Sequence, residues 1–189
     1  MSRPRLHVII ASTRPGRIGP SIATWFEGVA QDQGSFDVDV VDLKEVDLPN
    51  FNEPNHPMMQ EYTFEKTQTW AASVARADAF VFVMPEYNHS FNAAIKNAID
   101  YLRREWNYKP VAFVSYGGVS AGTRAVQSIK PVLTALGMFP LADQVAIAGP
   151  HQFLDEHGVF EPASGLDDVA KTMLVELARW TQAMKSLRA

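Results

Sequence analysis

The chain has 189 residues, 47% of them hydrophobic and 20% charged, which is ordinary for a globular protein with a sizeable core. The absence of cysteine excludes disulfides, thiolate catalysis and metal sites that need cysteine ligands. A formal net charge of −4, with no run of like charges, argues against a nucleic-acid or anionic-membrane partner. No apolar stretch reaches the roughly 18 residues of a membrane span, and no signal peptide is evident. We therefore expect one cytoplasmic domain over residues 1–189.

Strand-like and helix-like segments alternate along the chain. Short apolar runs predict strands, and longer segments with apolar residues at helical spacing predict helices. The strands are predicted at residues 6–11, 36–41, 79–84, 111–115 and 145–147, and the helices at 18–31, 60–77, 92–104, 122–136 and 167–187. In the second strand Phe36, Val38 and Val40 alternate with acidic residues, which is typical of an edge strand with one solvated face.

The alternation of five strands with five helices predicts parallel pairing, because parallel neighbours need crossover connections. The strands at 79–84 and 111–115 are nearly continuous apolar runs, as expected for central strands that are buried on both faces. We predict an α/β fold, namely a flavodoxin-like three-layer sandwich with a five-stranded parallel sheet of order 2-1-3-4-5. In such a sheet the ligand binds outside the carboxyl ends of the strands, here beside strands 1 and 3.

The first loop, residues 12–19, connects strand 1 to helix 1. A helix N-terminus binds anions, and Ser12, Thr13, Arg14 and Arg17 add hydroxyl and guanidinium groups that suit a terminal phosphate. The loop matches neither the dinucleotide-binding nor the Walker glycine pattern. The alternative interpretation is helix capping, for which serine and threonine are common residues.

Two further loops follow the central strands. The second loop, residues 85–90, carries an aromatic residue, Tyr87, and a backbone rich in hydrogen-bonding groups. The third loop, residues 115–122, contains three glycines, which allow close approach of a ligand to the backbone. Together they predict a site for a flat ligand with polar edges.

The third loop also matches the nucleophile elbow GxSxG around Ser120, so a serine esterase is the rival hypothesis. Three points weigh against it: Tyr116 and Gly117 separate the strand from the motif, the chain is short for that fold, and the other two loops would have no role. The downstream residues that would complete a triad are Asp143, Asp155, His151 and His157.

Other polar and aromatic residues receive simpler interpretations. His151 and His157 lack the spacing and the third ligand of a metal site. Lys96 and Asp100 are four positions apart on a helix and predict a surface ion pair. The four tryptophans are expected in the core or in subunit contacts rather than stacked on a cofactor: Trp25, Trp70, Trp106 and Trp180.

Taken together, four segments resemble motifs of the NADPH-dependent FMN reductase family, whose relatives include quinone, azo-dye and chromate reductases. The segments are residues 12–17, 85–90, 96–100 and 115–118, and their order and spacing resemble the family over about residues 5–148. Many members have a serine where this chain has Arg17 and an asparagine where it has Gly19.

The resemblance implies an FMN held by the three loops. Its phosphate would lie on the first loop, its ring along the second loop, and the third loop would close the other edge of the ring. The implied residues are Ser12, Thr13, Arg14, Arg17, Ile18 and Gly19 for the phosphate, Pro85, Glu86, Tyr87 and Asn88 for the ring, and Tyr116, Gly117 and Gly118 for its far edge.

The resemblance also implies the reaction. NADPH, or NADH in its place, would pass hydride to the flavin N5, and a small acceptor would then take the electrons: a quinone, an azo or nitro compound, a metal oxyanion or free flavin. We expect no catalytic side chain and no metal, because the cofactor performs the chemistry. The family relation also implies a homodimer or homotetramer. An electron carrier that binds FMN without NAD(P)H activity is the alternative from another functional class.

Overall fold

The computed structural model describes residues 3–188, and its centre is a five-stranded sheet of order β2-β1-β3-β4-β5. The strands are β1 (Arg5–Ile10), β2 (Asp37–Asp42), β3 (Ala79–Pro85), β4 (Pro110–Gly117) and β5 (Phe139–Ala148), and every neighbouring pair is parallel. Each successive pair of strands is joined through helical structure, as parallel pairing requires. The predicted flavodoxin-like strand order is confirmed.

Helices cover both faces of the sheet and create two hydrophobic cores. The helices are α1 (Gly19–Gln33), α2 (Leu43–Val46), α3 (Glu65–Arg76), α4 (Ala93–Asp100), α5 (Thr123–Ala135) and α6 (Leu166–Lys185). Helices α1 and α6 pack on one face, where Phe26 and Leu177 are fully buried. Helices α3, α4 and α5 pack on the other, where Ile99 and Ile129 are fully buried. The fold is the predicted three-layer sandwich.

Strand β3 shows why the sequences of the central strands are continuous apolar runs. Every one of its residues is buried, and successive side chains enter opposite cores. Val81 and Val83 belong to the core beneath α1 and α6, whereas Phe80 and Phe82 belong to the other core. A strand with helices on both faces therefore has no polar side.

The edge position of β2 is confirmed, but the predicted alternation within it is wrong. Val40 is 39% exposed, although the pattern placed it on the buried side with Val38. Val38 packs against one core and Val41 against the other. The reason is that apolar layers lie on both faces of this strand, so neither face is fully solvated.

Two predicted helix boundaries are wrong for reasons that lie outside the local sequence. Helix α3 begins at Glu65 rather than at residue 60, because the buried carboxylate of Glu53 accepts hydrogen bonds from the backbone N–H groups of Thr63 (2.8 Å) and Phe64 (3.1 Å). Helix α4 ends at Asp100 rather than at residue 104, and a separate 3₁₀ turn follows at Arg104–Trp106. Lys96 and Asp100 form the predicted ion pair on α4.

The tryptophans are packing residues, as predicted. Trp70 and Trp106 are buried in the same core with their ring centroids 5.9 Å apart. Trp25 packs edge-on against Phe160, and Trp180 stacks on Phe139. Within residues 3–188, no helix combines the length and apolarity needed to cross a membrane.

Candidate functional site

The three loops meet in one cleft at the carboxyl ends of β1, β3 and β4. The cleft has a volume of about 280 Å³, close to the lower end of the range for ligand pockets. Ten of the thirteen predicted cofactor residues line it: Ser12, Arg14, Arg17, Ile18, Pro85, Glu86, Tyr87, Tyr116, Gly117 and Gly118. The fold thus brings together residues from three separate segments of the chain.

Three predicted residues lie outside the cleft lining. Thr13 faces a neighbouring cavity between α2 and α4. Gly19 has a packing role, since a Cβ at this position would lie 3.0 Å from the Tyr116 hydroxyl and 3.2 Å from Ile10. Asn88 occupies an exposed turn, where its φ of +49° is a left-handed conformation that asparagine tolerates.

A fourth segment, which the sequence did not single out, completes the cleft. Gly149, Pro150 and His151 follow β5 and line the cleft beside the third loop. The backbone N–H of Gly149 donates to the carbonyl of Gly117 at 2.8 Å, which ties this segment to the end of β4. The carboxyl end of β5 is predicted to within one residue, at 147 against the observed Ala148, but the loop that follows has no recognisable ligand motif, and only its His151 is a candidate, for a triad or a metal site.

The two arginines of the first loop have different surroundings. Arg17 forms a two-pronged ion pair with Asp42, at the end of β2, and also donates to the carbonyl of Ser12 at 2.6 Å. Arg14 is exposed, its guanidinium lies 6.0 Å from the centroid of the Tyr87 ring, and it has no carboxylate partner among residues 3–188. Arg17 therefore braces the loop, while the charge of Arg14 is uncompensated.

The N-terminus of α1 has no side-chain cap among residues 3–188. No described side chain hydrogen-bonds to the backbone of its first turn, and that turn contains no acidic residue. The capping interpretation of Ser12 is therefore wrong: its hydroxyl lies 3.0 Å from the hydroxyl of Tyr87 instead. Since the first N–H groups of a helix carry partial positive charge, this end of the cleft suits an anion.

Tyr116 presents a buried hydroxyl beside this helix end. The hydroxyl has no hydrogen-bond partner among the described residues. Burial raises the pKa of Tyr116 above its usual range, so the group stays protonated and is a donor. An unpaired buried hydroxyl is unfavourable, so this wall of the cleft holds a donor that lacks an acceptor.

A tight turn forms the tip of the second loop. Tyr87 and Ser90 exchange two backbone hydrogen bonds of 2.9 and 3.0 Å, and both residues between them have positive φ, +49° for Asn88 and +66° for His89. This is the pattern of a type I′ hairpin turn. The turn holds the aromatic ring of Tyr87 at the cleft while Asn88 and His89 remain exposed.

Ser120 does not belong to a catalytic triad in this structure. Its hydroxyl donates to the carboxylate of Glu86 at 2.7 Å and accepts from Arg124 at 3.0 Å, and no histidine within residues 3–188 is its partner. One argument against the esterase was wrong, because β4 runs through Tyr116 to Gly117 and leads directly into the motif. The hydrogen bonds of Ser120, rather than a break in the strand, are what speak against the triad.

Comparison with known proteins agrees with this architecture. The model of the NADPH-dependent FMN reductase family matches residues 4–152. The chain is 40% identical over 162 residues to an NAD(P)H-dependent FMN reductase of Schizosaccharomyces pombe, covering 85% of this chain and 80% of the relative. It is 30% identical over 135 residues to a quinone reductase of Pseudomonas putida, covering 68% of each.

A solved structure shares the fold. It is a flavoenzyme NAD(P)H:(acceptor) oxidoreductase from Paracoccus denitrificans, with a TM-score of 0.75, 20% identity, and coverage of 96% of this chain and 98% of that one. The family match and the sequence relatives confirm the predicted family, together with its enzyme class and its FMN and NAD(P)H cofactors. The chain belongs to the NADPH-dependent FMN reductase family.

Proposed function

We propose that the protein holds FMN in this cleft and passes electrons from NAD(P)H to a small acceptor. The acceptor classes are a quinone, an azo or nitro compound, a metal oxyanion or free flavin. One observation carries the proposal: loops from three neighbouring strands converge on a single cleft that has a cationic end and a backbone-lined end. The similarity to a quinone reductase supports a small organic acceptor.

The cationic end fits a phosphate group. The uncapped N-terminus of α1, the unpaired guanidinium of Arg14 and the buried Ser12 supply donors there. Arg17 keeps the first loop in shape through Asp42, and its contribution to the phosphate would be secondary. A phosphate dianion accepts strong charge-assisted hydrogen bonds from such groups.

The other end fits a flat ring with polar edges. Pro85 to Tyr87 form one wall, and Gly117 and Gly118 form the other. A Cβ on Gly118 would meet no atom within 4 Å, so the backbone of this wall is open to a ligand. FMN held between these walls would supply the redox chemistry that links NAD(P)H to the acceptor. The described structure leaves no backbone N–H group free in the first wall, so donors that stabilise charge developing on the ring would come from the glycine wall.

This arrangement requires no acid or base from the protein. We expect that a Tyr87→Ala variant saturated with FMN still oxidises NADPH, because no proton at the ring depends on that hydroxyl. Turnover of the flavin-loaded variant under substrate saturation is the measurement. A variant that retains FMN but has lost all turnover would contradict this expectation.

The direct test of the function is an absorbance experiment on purified protein mixed with FMN. We expect flavin bands that remain with the protein through gel filtration and that bleach on anaerobic addition of NADPH. Flavin that stays bound but oxidised in a stopped-flow experiment with NADPH would instead support the electron carrier. Protein that retains no flavin would overturn the proposed function.

Replacement of Ser120 separates the reductase from the esterase. Ser120→Ala removes the hydroxyl that an esterase needs, whereas a reductase loses only the hydrogen bonds of this hydroxyl to Glu86 and Arg124. We expect NADPH oxidation to persist in this variant and no hydrolysis of a p-nitrophenyl ester by the wild-type protein. Ester hydrolysis that disappears with the hydroxyl would support the rival function.

We further propose a homodimer or homotetramer. Four large apolar side chains are more than 40% exposed on one segment after β2, which is unfavourable for a monomer in water: Phe51, Met58, Met59 and Phe64. Light scattering should give a mass that is a multiple of the 21.0 kDa chain, and a monomer mass would contradict the proposal.

A further inference from the structure

The carboxylate of Glu86 faces the third loop. One oxygen accepts from the hydroxyl of Ser120 at 2.7 Å and from the backbone N–H of Arg124 at 3.2 Å. The other accepts from Nε of Arg124 at 2.5 Å. The carboxylate is therefore occupied by protein donors.

These bonds join the two walls of the ring end. Glu86 belongs to the wall that follows β3, whereas Ser120 and Arg124 belong to the third loop and to the first turn of α5. The backbone N–H of Glu86 also donates to the carbonyl of Tyr116 at 3.0 Å. We call these three side chains, Glu86, Ser120 and Arg124, the Glu86 network.

Burial makes the network costly to disrupt. The Glu86 side chain is 5% exposed, whereas that of Arg124 is 46% exposed. Burial alone would raise the pKa of Glu86, but the hydrogen bonds from Arg124 and Ser120 outweigh it and lower the pKa. The carboxylate consequently stays ionised and bonded at neutral pH, and losing a partner would leave a buried charge with fewer donors.

We propose that Glu86 is a positioning residue, which sets the separation of the two ring-side walls by bonding to Ser120 and Arg124. This inference rests on the proposed function, because the walls matter only if a flavin ring lies between them. It gives Ser120 and Arg124 a role in cofactor binding that neither the motif GxSxG nor the predicted cofactor residues included.

The test is a double-mutant cycle on flavin binding. Glu86→Gln keeps the shape of the side chain but removes its charge, and Arg124→Gln removes the opposite charge. We expect each single variant to weaken binding of FMN about tenfold, the size expected for loss of one charge-assisted hydrogen bond. The double variant should be no weaker than the singles, because both changes break the same contact.

Riboflavin gives a second reading, since it shares the ring but lacks the phosphate. The variants should weaken the binding of riboflavin and of FMN by the same factor. The circular dichroism of the bound flavin should also change in these variants. Glu105→Gln is the matched control: Glu105 is also a buried carboxylate, accepting from Tyr62 at 2.9 Å, but it lies outside the cleft. We expect this control to lower the unfolding temperature without changing flavin affinity.

The outcomes separate the inference from the proposed function. Coupled loss of affinity for both flavins, in variants that remain folded, supports the positioning role. The positioning role would be overturned if the two charge variants and Ser120→Ala bound flavin as tightly as wild type. It would also be overturned if the charge variants lost affinity for FMN but not for riboflavin. Wild-type protein that binds neither flavin would overturn the proposed function and the inference with it.

Discussion

Arg14 and Arg17 are three positions apart, yet their charges act differently. Arg17 is committed to Asp42 and to the carbonyl of Ser12, so its guanidinium holds the first loop against the end of β2. Arg14 has no acidic partner among the described residues and remains exposed at the cleft. The guanidinium of Arg14 is therefore the positive charge of this loop that is available to bind a phosphate.

We expect Arg14→Gln to weaken FMN binding about tenfold or more and to leave riboflavin binding unchanged, because only FMN carries the phosphate. Flavin fluorescence quenching measures both affinities. Arg179→Gln is the control, as Arg179 pairs with Glu176 on the surface of α6, outside the cleft lining. Equal weakening of both flavins by the Arg14 change would contradict a phosphate contact.

His7 is a titratable residue of the protein core and is not one of the residues that line the cleft. It is fully buried on β1, and its ring packs edge-on against Phe80. In the part of the chain that the structure describes, neither ring nitrogen has a hydrogen-bond partner. Burial lowers the pKa of His7 from 6.5 to about 4, against the opposing pull of Asp39. The folded protein thus keeps this histidine neutral in mildly acid solution.

The stability of the fold should therefore fall in acid. Below pH 6.5 the unfolded chain protonates His7 while the folded protein does not, so stability is lost as the pH falls from 6.5 to about 4. The full effect is about 3 kcal/mol from the cost of a pKa difference of this size. Urea unfolding measures the free energy of unfolding of wild type and of His7→Leu. We expect the variant to gain stability relative to wild type as the pH falls from 7 to 5.

Leu6→Ala is the control for this titration, since Leu6 is also buried on β1 but carries no titratable group. Its difference from wild type should stay nearly constant with pH. A pH-independent difference for His7→Leu as well would mean that the buried histidine is not a source of acid sensitivity.

At the scale of elements, the third loop depends on a close approach between its end and the strand before it. Gly122 has a φ of +81°, and a Cβ there would lie 2.7 Å from the backbone nitrogen of Tyr116 and 2.8 Å from Cβ of Ser115. Both the conformation and the space exclude a side chain. The chain turns back on β4 at this point, and α5 begins at the next residue.

We expect Gly122→Ala to destabilise the protein by at least the strain of about 1–3 kcal/mol for such a backbone, and to weaken flavin binding by displacing the third loop. The matched control is Gly28→Ala on the exposed side of α1, where a Cβ would meet nothing within 4 Å. This control should gain about 0.5–1 kcal/mol from helix propensity. Thermal unfolding and flavin titration measure both variants, and a neutral Gly122 change would contradict the close approach.

At the scale of the whole molecule, the cleft joins elements that are otherwise separate in the chain. Its walls follow β1, β3, β4 and β5, and hydrogen bonds link neighbouring walls directly, such as Glu86 to Tyr116 and Gly149 to Gly117. The central strands β3 and β4 beneath it are buried on both faces and supply a rigid base. A ligand in the cleft would therefore stabilise the carboxyl edge of the sheet as a unit.

We expect FMN to slow amide hydrogen exchange in the three loops together and to raise the unfolding temperature. At a free FMN concentration 100 times the dissociation constant, the stabilisation is about 2.7 kcal/mol by mass action. Hydrogen exchange with and without FMN checks this, with the amides at the amino ends of β1 and β4, from Arg5 and Val111 onward, as an internal control. Protection confined to one loop would contradict a ligand shared by all three.

The sequence by itself determined the strand order, most helices and the three loops. These depend on patterns a few residues long, namely period-two and helical spacing, and on the rule that parallel sheets bind ligands at their carboxyl ends. The segment 79–84 alone predicted a central strand and the loop that follows it. The resemblance of four other segments to a known family then identified FMN as the ligand to consider.

Only the tertiary structure decided what individual side chains do. Arg17 meets Asp42 across 25 positions and Glu86 meets Ser120 across 34, and such pairs depend on how two strands end side by side. The start of α3 was likewise set by Glu53, and the place of the segment after β5 in the cleft by the hydrogen bond from Gly149 to Gly117. Local patterns predict elements because each element makes its own backbone hydrogen bonds, whereas side-chain partners from distant segments are selected when those elements pack.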